Sequence, residues 1–147
     1  MGHTTTIRIK NFCFNAVICK DINSRFTYFG IIKIYETSSK GEILKILRSH
    51  PKLAVEKKLS EHSNKEQSLA NLKNCTQEEF NEFTKLNSEY EKKFGFPFIM
   101  AVKGKDKIDI LNNFRQRINN NIEFEFEESK KQVKKIALFR LNELFTK

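Results

Sequence analysis

Apolar residues fall at three- and four-residue steps through most of the chain beyond residue 40, the spacing of a helix with one buried face. In "CTQEEFNEFTKLNSEYEKKFG" the stripe is Phe80, Phe83, Asn87 and Tyr90, with Leu86 beside it. Thr76 stands where an N-cap belongs, and Glu79 completes a capping box. Gly95 supplies a left-handed exit and Pro97 blocks continuation. "GKDKIDILNNFRQRIN" predicts a second helix capped by Asp106, with Ile108, Leu111, Phe114 or Arg115, and Ile118 on one face. "EFEFEESKKQVKKIALFRLNELF" predicts a third, acidic early and basic later, as the helix dipole favours. Its stripe is Val133, Ile136, Ala137, Arg140, Leu141 and Leu144, with Arg140 reaching past the edge. Upstream, "SKGEILKILRSH" places Ile43, Leu44 and Leu47 on one side of a short helix that ends near His50, because Pro51 disfavours helical geometry before it.

The first 37 residues break this pattern. "TTTIRIKNFCFNAVICKD" and "RFTYFGIIKIYE" are rich in β-branched and aromatic residues and partly alternate, which reads as strand. No repeat or low-complexity linker interrupts the chain. The expectation is an all-α fold, a single compact helical domain over residues 1–147. Its atypical N-terminal segment, 1–37, is left open between strand and other structure.

Composition narrows the function classes. At 147 residues the chain buries about two-thirds of its unfolded surface, so neither disulfide nor metal is needed to hold it. Cys13, Cys19 and Cys75 form no C-x-x-C pair, and no secretory signal precedes them, which fits thiols in a reducing compartment. Nothing around Cys75 suggests the basic partner that a nucleophilic cysteine requires. The 27 Lys and Arg against 18 Asp and Glu leave a charge of +9, compatible with a polyanionic partner. Many lysines, however, lie within a helical turn of a glutamate, and the expectation is no nucleic acid. "FGFPFIMAV", the longest apolar run, falls well short of the roughly 20 residues a membrane span requires, so no membrane is expected either.

Candidate chemistry gathers in "LRSHPKLAVEKKLSEHSNKEQ". His50, at a helix end before a rigid proline, is placed to point a ring into a cavity, and imidazole moves protons near neutrality. It reads equally as a solvated histidine at a helix C-terminus. Ser63 and Glu66 have capping-box spacing and need do no more than start the helix that carries Leu69 and Leu72, with Gln67 on its surface and His62 solvated. Phe98, Ile99, Met100, Ala101 and Val102 follow an extended exit from Gly95. They would offer main-chain groups beside an apolar wall, a ledge suited to a planar, amide-rich ligand.

"LRSHPKLA", "SNKEQSLANL" and "EEFNEFTKLNSEYEKKFGFPFIMAVKGK", in that order, with "IALFRLNELF" at the close, resemble the family of 2-oxo-4-hydroxy-4-carboxy-5-ureidoimidazoline (OHCU) decarboxylases of urate breakdown. The resemblance runs from about Ile43 to Phe145. It implies a helical, cofactor-independent, homodimeric carboxy-lyase, without a metal, that turns OHCU into (S)-allantoin. By position His50 matches the catalytic histidine and Pro51 the proline of the substrate pocket. Ser63, Glu66 and Gln67 match the polar substrate-binding cluster, and Phe98 to Val102 the main-chain ledge. The expected mechanism places the electron pair left by carbon dioxide on a neighbouring carbonyl as an enolate. His50 carries the proton, with Glu66 setting its protonation or holding the ureido nitrogens, and Ser63 and Gln67 fixing the ring.

The match departs from the family in four places. The His50–Ser63 link is shorter. Lys52 replaces an acidic residue and would lower the pKa of His50 if it came close. Ala101 and Lys103 stand where cysteine and arginine are usual, and the N-terminal segment lacks family motifs. An inactive member, fold kept and chemistry lost, therefore stays open as an alternative, as does a basic nucleic-acid-binding module. The chain ends "LFTK" without a peroxisomal signal, and a cytoplasmic address is expected.

Overall fold

The computed structural model describes residues 24–54, 65–68, 70 and 72–145, and among these every regular element is helical. In chain order they are α1 (Ser24–Thr37), α2 (Lys40–Arg48), a 3₁₀ turn (Leu72–Asn74), α3 (Gln77–Phe94), α4 (Lys107–Arg117) and α5 (Ile122–Phe145). Residues 65–68 add a short helical stretch. The all-α expectation holds. Cys13, Cys19, His62, Ser63 and Leu69, the strand reading of "TTTIRIKNFCFNAVICKD" and most of the shortened His50–Ser63 link lie outside the described residues.

Helices α1, α2 and α3 pack against α5, and α3 also against α4. The core is aromatic. Tyr90 has its ring centroid 4.5 Å from Phe94, 5.3 Å from Phe98 and 5.6 Å from Phe114. Each such side chain taken fully out of water contributes about 1.5–3 kcal/mol. Thr76 and Asp106 both close capping boxes, with Glu79 and Asp109, and Gly95 takes the left-handed exit at φ 75°. Ser39 caps α2 in the same way with Glu42.

Two expectations are corrected. "RFTYFGIIKIYE" is not a strand but most of α1. β-Propensity reflects packing context more than backbone preference, and here a helix puts Tyr35 against α5. Tyr35 is buried, and its hydroxyl donates to the Lys130 carbonyl at 2.9 Å. The buried face of α4 is also rotated from the expected one. Ile110, Leu111, Phe114 and Arg117 point inward while Ile108 is 58% exposed. Arg115 turns outward and grips Glu82 at 2.6 and 2.7 Å. The face turned because an arginine, Arg117, occupies a core position. On α5, Val133, Ile136, Ala137 and Leu141 are buried as expected.

Candidate active site

His50 stands two residues past the last turn of α2, whose Ile43 and Leu47 are buried in the core. The Arg48 Nε donates to the Gly95 carbonyl at 3.1 Å, which ties the end of α2 to the exit of α3. His50 Nδ1 lies 2.9 Å from the Ile46 carbonyl. A carbonyl only accepts, so Nδ1 carries the proton and Nε2 keeps its lone pair. Burial lowers the pKa of His50 from 6.5, opposed by that carbonyl, with nearby Arg140 lowering it further and Glu66 raising it. The ring is therefore a neutral base near pH 7. Lys52 is not among the causes, because its ammonium pairs with Glu91 at 2.6 Å.

The turn after Pro51 is held from inside. Gln67 is buried, and both ends of its amide are engaged there. Its Oε1 accepts from the Ala54 N–H at 3.1 Å, and its Nε2 donates to the Lys52 carbonyl at 3.3 Å. Asn87 Nδ2 donates to the Leu53 carbonyl at 2.9 Å. Ala54 sits at φ 50°, in the left-handed region that disfavours a Cβ. Gln67 is thus no surface residue; it clamps the strained turn beside the histidine.

Glu66 and Arg140 form a forked pair, Nε–Oε1 and Nη2–Oε2 both 2.8 Å, with side chains 29% and 14% exposed. Arg140 does not reach past the edge of its helix, as the stripe suggested, but turns toward the site. It was legible only as a charge within the apolar stripe of α5.

These groups meet at one concavity of about 370 Å³, counting its open mouth. His50, Pro51 and Leu53 form one wall, Glu66, Gln67 and Arg140 the polar end. Phe98, Ile99, Met100 and Val102 lie along the ledge, with Ile136 of α5 also in the lining. Ala101 does not line it, since its N–H is turned away and donates to Gln132 Oε1 at 3.0 Å. Ile99 lines the cavity, yet its carbonyl accepts from Arg117 Nη1 at 2.8 Å. Lys103 is drawn off to Glu143 at 2.9 Å. Cys75 is not in this lining, and burial raises its thiol pKa, which keeps it protonated. The arrangement offers a neutral imidazole, a carboxylate locked to a guanidinium, main-chain amides and apolar walls. Such a set can orient an amide-rich anion and relay a proton.

A family model described as OHCU decarboxylase matches residues 28–142. The chain is 42% identical over 118 residues to a uric acid degradation bifunctional protein of Bacillus sp. (strain TB-90), covering 80% of this chain and 24% of that protein. It is 33% identical over 111 residues to the 2-oxo-4-hydroxy-4-carboxy-5-ureidoimidazoline decarboxylase of Haloferax volcanii, covering 76% of this chain and 66% of that protein. The chain thus spans about a quarter of the bifunctional relative's length and just under two-thirds of the archaeal one's. Among solved structures it superposes with a TM-score of 0.72 at 24% identity on OHCU decarboxylase crystallised in the presence of (S)-allantoin, covering 86% of this chain and 84% of that one. At that identity the likeness carries the fold alone. A second, (S)-allantoin synthase, gives 0.63 at 29% identity, covering 83% of this chain and 38% of that one.

Proposed function

The chain belongs to the OHCU decarboxylase family, and on that premise we propose that it removes carbon dioxide from OHCU to leave (S)-allantoin, as part of urate degradation. The observation that carries the reading is the meeting of His50, Glu66 and Arg140 at one cavity, with His50 Nδ1 2.9 Å from the Ile46 carbonyl. With Nδ1–H donated to that carbonyl and burial disfavouring the cation, Nε2 keeps a lone pair on a residue that lines the same cavity as Glu66 and Arg140.

The substrate's name dictates what must move. Carboxyl and hydroxyl share one ring carbon, and the single ring double bond of the imidazoline then joins the ureido-bearing carbon to nitrogen. When the carbon–carboxylate bond breaks, its electron pair flows into that C=N group. The sink is therefore the ring imine, not a neighbouring carbonyl as the sequence reading supposed. The ring nitrogen that receives the pair takes up a proton from water, and the resulting enol becomes the product when the hydroxyl loses its proton and the ureido-bearing carbon gains one. One neutral base can do both: His50 Nε2 takes the hydroxyl proton and returns it to a single face of the ring. Arg140 orients the Glu66 carboxyl through the fork, and its oxygens accept from the ureido N–H groups. Pro51 and the ledge residues confine the ring, and Gln67 serves by fixing the turn. Ser63 is retained as a polar substrate contact on the strength of the family resemblance. The proposal includes a homodimer, which that resemblance implies, acting in the cytoplasm.

The test is to generate OHCU enzymatically, add the chain, and follow circular dichroism. Optically active allantoin formed faster than the spontaneous decay is expected. Racemic product at the spontaneous rate would instead identify an inactive member of the family.

A further inference from the structure

Behind the ledge lies a cluster of buried charge that the proton relay does not use. Arg117 is 5% exposed and Glu125 fully buried. They meet at 2.6 Å from Nη2 and 3.0 Å from Nε, both to Oε1. The Tyr90 hydroxyl donates to the same oxygen, and Asn120 Nδ2 donates to Oε2 at 2.7 Å. The Ser129 hydroxyl accepts from Arg117 at 3.2 Å. Withdrawing an ion pair this far from water is costly, and apolar side chains of similar volume often hold a core as well or better. Stability alone is a weak reason for it.

What Arg117 does that an apolar side chain cannot is reach forward. Its Nη1 holds the Ile99 carbonyl at 2.8 Å, and its guanidinium lies 4.6 Å from the Phe98 ring centroid. Phe98 in turn stacks on Phe114 at 3.9 Å. One side chain, itself fixed by Glu125, thus fixes two consecutive residues of the ledge. Two residues on from Ile99, the Ala101 N–H is tied to Gln132 at 3.0 Å. In an extended chain alternate residues turn their polar groups to opposite sides. Ile99 and Ala101 are thus tied back on either side of Met100, which lines the cavity. A secondary amide edge presents one donor beside one acceptor, which a single residue's main chain matches.

We propose that Arg117 is a positioning residue for this site. It holds the Ile99 carbonyl out of the cavity so that the Met100 main chain faces an amide edge of the ligand. The inference rests on the substrate reading above, and its test separates the two. Arg117→Met, Arg117→Lys and Tyr90→Phe are compared with the wild type. Tyr90→Phe removes a partner of the same carboxylate while leaving the Arg117–Ile99 bond. Each is followed by thermal unfolding, by KM and kcat with freshly made OHCU, and by amide hydrogen exchange of a peptide containing Met100. Arg117→Met is expected to raise KM about tenfold, as the loss of one oriented hydrogen bond would, with a smaller fall in kcat and faster exchange at Met100. Arg117→Lys restores part of both, and it carries the comparison alone if the methionine variant does not fold. Tyr90→Phe lowers the melting temperature with KM and exchange unchanged. The proposal is overturned if Tyr90→Phe raises KM as much as the Arg117 variants at equal loss of stability, or if the Arg117 variants leave KM and exchange alone. A wild type that fails to turn over OHCU sinks the substrate reading, while the exchange comparison still decides the role of Arg117.

Discussion

The wall that carries His50 hangs on a turn at the end of a nine-residue helix, whereas the ledge opposite is backed by α3, α4 and α5. On the histidine side the supports are single hydrogen bonds to backbone, from Gln67 and Asn87, around a residue in left-handed geometry. On the ledge side they are a stacked aromatic pair and a buried ion pair with several partners. The first wall carries the group that changes protonation, and the second carries shape. Substitutions in the two walls should therefore separate, the first into rate and pH dependence, the second into KM.

The largest effect belongs to His50→Asn. Losing the proton carrier should lower kcat on the order of 10²–10⁴-fold. In the wild type kcat/KM should fall on the acid side with a midpoint below 6.5, because burial lowers the pKa of this ring. The same shift makes stability depend on pH. Between the folded value and 6.5 the unfolded chain binds more protons, so the stabilisation is complete above 6.5 and is lost as pH falls through the folded value. His50→Asn should flatten that acid slope of the melting temperature. A variant with near-normal turnover, or an unchanged slope, would remove His50 from the mechanism.

Next in size is the Glu66–Arg140 pair at the polar end, where the two walls meet. Arg140→Met leaves a half-buried carboxylate unpaired, and Glu66→Gln leaves a guanidinium without its fork. The double variant should be less impaired than the two losses summed, by a coupling of about 1–3 kcal/mol in transition-state free energy. Additive losses would mean that the two residues serve different steps.

Much of this was legible along the chain, and what was not shares one property. The capping boxes at Thr76 and Asp106, the glycine exit at Gly95 and the α5 stripe depend on residues within a turn or two of one another. The strand reading of α1 failed because Tyr35 finds its partner at Lys130, far along the chain. The face of α4 was misjudged because Arg117 finds Glu125 and the Ile99 carbonyl, and binary patterning counts an arginine as outward. The candidates at His50, Glu66 and Gln67 do line one concavity. Their actual partners, the Ile46 carbonyl, Arg140 and the 52–54 backbone, carry no local signature.

The smallest effect gives the cleanest contrast between the walls, because Ala54 on one side and Gly95 on the other are both left-handed and are filled differently. Gly95, at φ 75° below the ledge, would bring a new Cβ only to an ordinary 3.9 Å contact with Arg48. Gly95→Ala therefore reports backbone strain alone and should cost about 1 kcal/mol. Ala54, at φ 50° beside His50, already bears that strain. Ala54→Gly relieves it but enlarges the unfolded chain's freedom by about 0.5–1 kcal/mol, so the net gain is at most a few tenths and the melting temperature barely moves. Function should respond in the opposite order. A glycine beside Pro51 frees the turn that aims the imidazole and should lower kcat by about twofold to tenfold, the effect of a loss near 1 kcal/mol in orientation. Gly95→Ala, rigid and remote from the proton, should lower the melting temperature and leave kcat alone. If Ala54→Gly proved as active as the wild type, the strained turn would be an accident of the loop, and the histidine would owe its aim to the Ile46 carbonyl alone.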